Sequence, residues 1–156
     1  MKKLLMSLCV PLLLIGVMIS GCKSTDNNVN TVPPADDGTK SVSLEVTGAE
    51  FDTQSNIVKT IDVVYPGSVI ISLNSNQTTG FSWSAEPVNS NPNVISQYDH
   101  NYVAPEATGV VGASGKEVWT FKPKATGTAT LTFEYSRPWE GGEKAVRTVQ
   151  LTITVK

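Results

Sequence analysis

From about Ser41 to the C-terminus, apolar and polar residues alternate with a period of two. Val42, Leu44 and Val46 fall on one side of a run, and so do Val69, Ile71 and Leu73, and Trp119 with Phe121. The longest runs are Ala129-Leu131-Phe133-Tyr135 and Val149-Leu151-Ile153-Val155, with Thr, Glu or Gln between them. A strand places successive side chains on opposite faces, so such runs predict antiparallel sheets with one face on a core and the other in water. The breaks carry turn chemistry: Tyr65-Pro66-Gly67, Glu86-Pro87, Asn91-Pro92, Lys122-Pro123, Ala125-Thr126-Gly127 and Glu140-Gly141-Gly142. No amphipathic helix stands out. About seven short strands over roughly 115 residues predict an all-β, immunoglobulin-like antiparallel β-sandwich with Trp83 in its core, a closed barrel being the alternative.

The first forty residues follow different patterns. Lys2 and Lys3 precede an apolar run from Leu4 to Ile19, which closes on Ile19-Ser20-Gly21-Cys22. A positive start, a short apolar core and small residues before a cut describe a signal peptide. The run is short for the roughly 20 residues of a membrane span. A Cys directly after the small residues resembles the lipobox of bacterial lipoproteins. The resemblance implies a signal peptide over residues 1–21, cleavage before Cys22, and diacylglyceryl attachment to the Cys22 sulfur, usually with acylation of the new amino group. Two or more acyl chains hold a protein stably on a bilayer. Lys23 rather than Asp follows the anchor, which favours the outer membrane or the periplasmic side in a Gram-negative cell envelope. Residues 22–40 are polar and rich in Asn, Asp, Pro and Gly, and read as a tether leading to a domain over 41–156. Asp36-Asp37-Gly38 lacks the further oxygen ligands of a calcium loop.

The chain has 156 residues, a formal net charge of −2, one His and two Cys. Nucleic-acid binding needs a concentrated basic surface, which this balance does not supply. Cys9 departs with the signal peptide and Cys22 is alkylated, so the expected domain has neither thiol nor disulfide. His100 alone cannot assemble zinc, and no nucleophile elbow surrounds Gly80-Phe81-Ser82-Trp83. No catalysis, metal or cofactor is expected.

Three connections hold the candidate chemistry. Asn74 to Gly80 leads into Phe81-Ser82-Trp83. Val110-Val111-Gly112-Ala113-Ser114-Gly115 is a loop of small residues. Arg137-Pro138-Trp139-Glu140-Gly141-Gly142 follows the strand ending at Tyr135. In a Greek-key sandwich these loops fall at one end, as in a paratope. Trp139 has no evident core to enter, and exposed Trp and Arg are enriched at binding hot spots. A rival reading is an adhesion or carbohydrate-binding sandwich, with Trp139 and Tyr102 as sugar platforms.

Together the segments resemble the chagasin-type inhibitors of papain-like cysteine peptidases. That family's pattern is Asn-Pro-Thr-Thr-Gly-Phe/Tyr-x-Trp, then Gly-x-Gly-Gly, then Arg-Pro-Trp. Here the first reads Asn76-Gln77-Thr78-Thr79-Gly80-Phe81-Ser82-Trp83, the second Gly112-Ala113-Ser114-Gly115, and the third Arg137-Pro138-Trp139 is complete. The resemblance spans about Ser41 to Lys156. It implies a monomeric inhibitor whose loops fill the cleft of a papain-like peptidase. Thr78, Thr79 and Gly80 would approach the catalytic Cys and His, Trp139 would stack beside the primed side, and Gly112 to Gly115 would cover the unprimed side. Two departures stand out. Gln77 replaces Pro and frees a backbone dihedral. Ser114 replaces Gly, which matters if that position needs a positive φ.

Overall fold

The computed structural model describes residues 40–105 and 112–156. The expected signal peptide, Cys22, the tether up to residue 39, and Val110 and Val111 lie outside the described residues.

Two sheets face each other. One contains β1 (Lys40–Val46), β3 (Gly67–Ser75), β7 (Gly115–Pro123) and β6 (Ile95–Val103), adjacent in that order. The other orders β2 (Asn56–Val63), β9 (Arg147–Val155), β8 (Gly127–Ser136) and the short β4 (Ser82–Trp83), with β5 (Val88–Asn89) also paired to β8. A four-residue helix, α1 (Gly48–Phe51), and one 3-10 turn (Gln77–Thr79) complete the described elements. Seven of the described strands have seven or more residues, so the expected count holds, with two-residue β4 and β5 in addition. The sheets remain separate, which sets aside the closed barrel.

Alternation built the core. Trp119, Phe121, Leu131, Phe133, Leu151 and Ile153 are all buried, and Trp83 joins them at 3% exposure. Trp119 meets Phe133 edge-on at 4.9 Å between centroids, and Phe121 meets it at 6.2 Å. Each such side chain withdraws enough apolar area to contribute about 1.5–3 kcal/mol.

Two outer pairings, β1 with β3 and β2 with β9, are parallel, within an otherwise antiparallel sandwich. The reason lies in the path of the chain. It leaves β1, crosses through α1 to β2 in the other sheet, and returns by Tyr65-Pro66-Gly67 to β3. Strands β1 and β3 therefore run the same way, with β2 serving as the crossover that parallel neighbours require. Strands β2 and β6 escaped the alternation reading. In β2, Val58 is 67% exposed beside a half-buried Lys59, which blurs the period. In β6 a register irregularity between Gln97 and Asp99 breaks the alternation.

Register fixes the two ends. Ser75 pairs with Gly115, Ser82 with Ser136, and Tyr135 with Arg147. All three candidate loops therefore leave from one end. Lys40 pairs with Gly67 and Gly127 with Val155 at the other.

Candidate functional site

The first loop folds around Asn76. Its Oδ1 accepts from Thr78 N (3.2 Å) and Thr78 Oγ1 (2.7 Å), an Asx-type arrangement. Its carbonyl accepts from Thr79 N (3.2 Å) and Thr79 Oγ1 (2.6 Å). Gly80 N then donates to Gln77 O at 3.0 Å, and Gly80 closes the turn in the left-handed region with φ 77° and ψ 3°. Gln77, Thr78 and Thr79 are left exposed at the tip. Both threonine hydroxyls spend their single donor inside the loop, so what they offer outward is acceptor lone pairs.

The second loop is tied to the first, since Asn76 Nδ2 donates to Gly112 O at 3.0 Å. Gly112 carries a positive φ of 83°, whereas Ser114 does not. The Ser at position 114 is therefore compatible with the backbone it occupies. Gly115 is the sterically demanding position: a Cβ there would overlap the Val103 carbonyl and lie 2.5 Å from Tyr102 Oη. Tyr102 thus packs its phenol against the foot of the second loop, which is the work of a support.

The third loop is cross-linked on itself. Arg137 N donates to Glu143 O (2.8 Å), Gly142 N to Trp139 O (3.2 Å), and Ala145 N to Ser136 Oγ (2.8 Å). Lys144 Nζ reaches both Arg137 O (2.5 Å) and Trp139 O (2.9 Å). Arg137 stacks its guanidinium on Phe81 at 4.4 Å and pairs with Glu143 at 3.2 Å. Trp139 is 52% exposed, and its indole rests against Gly80. A groove of about 540 Å³ opens beside the first loop, bordered by Asn74, Asn76, Ser114 and Arg147.

Hence Asn76 to Phe81, Gly112 to Gly115 and Arg137 to Trp139 form one surface joined by contacts between neighbouring loops. Reading the sequence missed two residues beneath it, Glu117 and Tyr135. Glu117 is 2% exposed, and its Oε1 accepts from Ser75 Oγ and Trp83 N. The signal was present: in β7 the inward series is Gly115, Glu117, Trp119, Phe121, and a Glu in core register demands a partner. His100 is such a partner, with Nε2 3.1 Å from Glu117 Oε2 and its ring stacked on Trp119 at 4.6 Å. Its contacts there are those of a structural support.

A family model described as Chagasin family peptidase inhibitor matches residues 66–153. Amoebiasin-2 of Entamoeba histolytica is 30% identical over 98 residues, covering 62% of this chain and 77% of that relative. Chagasin of Trypanosoma cruzi is 34% identical over 90 residues, covering 57% and 82% respectively. Among solved structures, the cysteine protease inhibitor EhICP2 from Entamoeba histolytica aligns with a TM-score of 0.59 at 23% identity, covering 74% of this chain and 97% of that one.

Proposed function

Because this chain belongs to the chagasin family of peptidase inhibitors, we propose that its three-loop end fills the active-site cleft of papain-like cysteine peptidases and excludes substrate. The observation that carries the reading is the joining of all three motif loops into one surface, through Asn76 to Gly112 and Gly80 to Trp139. It is a binding protein and not an enzyme.

The loop chemistry suits that target. A papain-like site holds a thiolate beside an imidazolium, whose N–H groups are donors. The oxygens of Thr78 and Thr79, with their own protons committed inside the loop, meet such donors as acceptors. The tight turn from Gln77 to Gly80 also keeps the chain from lying extended in the cleft, so no peptide bond is offered for in-line attack. Trp139, half exposed and braced by Arg137 and Gly80, is the aromatic anchor. An interface of ordinary size, about 800 Å² per partner, is expected.

The protein further acts as a lipid-anchored inhibitor of the cell envelope, held through Cys22. Strand β1 starts at Lys40, at the end opposite the loops, which supports a tether that leaves them facing away from a bilayer. Incorporation of labelled fatty acid, lost in Cys22→Ser, tests this part.

Papain inhibition by the protein, with a glycan array in parallel, tests the main reading. Sub-micromolar inhibition without glycan binding is expected. Glycan binding without inhibition would favour the adhesion alternative.

A further inference from the structure

Two polar groups under the first loop occupy inward positions on strands otherwise filled with apolar side chains. Glu117 Oε1 accepts from Ser75 Oγ at 2.8 Å and from Trp83 N at 3.0 Å. Ser75 is where β3 ends and Trp83 lies in the short β4, so one carboxylate oxygen ties together the outgoing and returning feet of the loop. The other oxygen is held by His100 at 3.1 Å. A buried carboxylate persists only when paired and hydrogen-bonded, and here every partner but His100 belongs to the loop's feet.

Tyr135 acts one step further up. Its Oη accepts from Asn76 N at 3.0 Å and donates to Asn76 O at 3.4 Å. Its ring is clamped between Phe81, 5.4 Å away, and Trp83, 5.0 Å away. Asn76 in turn holds Thr78 and Thr79 through its side chain and its carbonyl. The order of dependence runs from the phenol to Asn76 to the two threonines.

We propose that Glu117 and Tyr135 are positioning residues for inhibition, setting the first loop in its cleft-filling shape before any peptidase arrives. This rests on the inhibitor reading and adds the source of the loop's order. A loop already in its bound shape avoids the ordering cost of association, and a loop that must rearrange first associates more slowly. Residues that act in this way change the association rate without touching the partner.

Tyr135→Phe deletes the hydroxyl and keeps the ring. The inhibition constant against papain is expected to rise about five- to tenfold, the worth of one hydrogen bond, chiefly through a slower association rate. Gln77→Pro, which restrains the same loop from its tip, should recover more inhibition in Tyr135→Phe than it adds to the unmodified protein. Glu117→Gln, which keeps an acceptor for Ser75 and Trp83, should inhibit better than Glu117→Leu. Should Glu117→Leu fail to fold, Tyr135→Phe still decides the matter. In the free protein, amide exchange at Thr78, Thr79 and Gly80 should quicken in Tyr135→Phe while Leu131 and Leu151 keep their protection. Unchanged exchange in the loop, or a weakened inhibition that follows melting temperature and is not recovered by Gln77→Pro, overturns the proposal. If the unmodified protein does not inhibit papain, the inhibitor reading fails instead, and the exchange measurement judges the positioning claim alone.

Discussion

The indole of Trp139 lies so close to Gly80 that a Cβ at position 80 would sit 2.7 Å from its Cη2. The first and third loops are therefore fitted to each other, and glycine at 80 serves two needs at once: a left-handed backbone and room for a ring. Gly80→Ala should cost about 1–2 kcal/mol in backbone strain. The indole can swing outward, so the fold survives with a melting temperature a few degrees lower. Inhibition should weaken by more than the strain accounts for, because the Trp139 anchor is displaced. Thermal melting alongside an inhibition titration separates the two effects.

Trp139→Ala should raise the inhibition constant by about 2 kcal/mol, or roughly thirtyfold, a typical hot-spot loss. With the side chain half exposed, stability should barely move. Equal inhibition by the variant would remove Trp139 as the anchor.

Gln77→Pro should tighten inhibition. Position 77 opens the 3-10 turn, where a proline's missing N–H costs least and its fixed φ fits. The preceding Asn76 has φ −117° and ψ 89°, outside the helical region that a following proline disfavours. Less loop entropy in the free protein is worth about 0.4–1 kcal/mol. A weaker inhibition constant would show that the loop must flex to bind.

Glu50 gives a pH dependence unrelated to the loops. Its carboxyl is held below its ordinary pKa by Lys59, with Nζ 2.6 Å from Oε1, and by the backbone N–H of Thr47 at 3.0 Å from Oε2. A folded pKa depressed below the unfolded value gives stability that is present above the unfolded pKa and lost as pH falls through the folded one. The pair is partly exposed, so the gain is under about 1 kcal/mol. Glu50→Gln should lower the melting temperature at neutral pH and match the unmodified protein once acid has titrated Glu50. A gap that persists in acid would assign the effect to packing.

Much of the fold was legible because β3, β7, β8 and β9 alternate without interruption, and the faces so marked are the faces buried. Parallel pairing was not legible, since direction depends on which sheet receives the next strand, and no local pattern encodes that. The motif residues were legible as three loops at one end. Their mutual contacts were not: nothing in Asn76 announces Gly112 as its partner, and nothing in Gly80 announces Trp139. The departure at Ser114 looked troublesome and proved conformationally mild, because the positive φ falls on Gly112. Glu117 could have been found as a carboxylate in an apolar register, although its partners depend on how β3, β4 and β6 come together.

The parallel pairing of β1 with β3 has a mechanical consequence. If the chain is anchored upstream of Lys40, as proposed, a peptidase pulling on the loops loads the domain along its strands. The register from Lys40–Gly67 to Val46–Leu73 then resists as a lap joint, in shear, with its rungs sharing the load. An antiparallel β1 would begin at the loop end and peel away rung by rung. The direction of one edge strand thus fits the domain to withstand traction between a fixed base and a moving target.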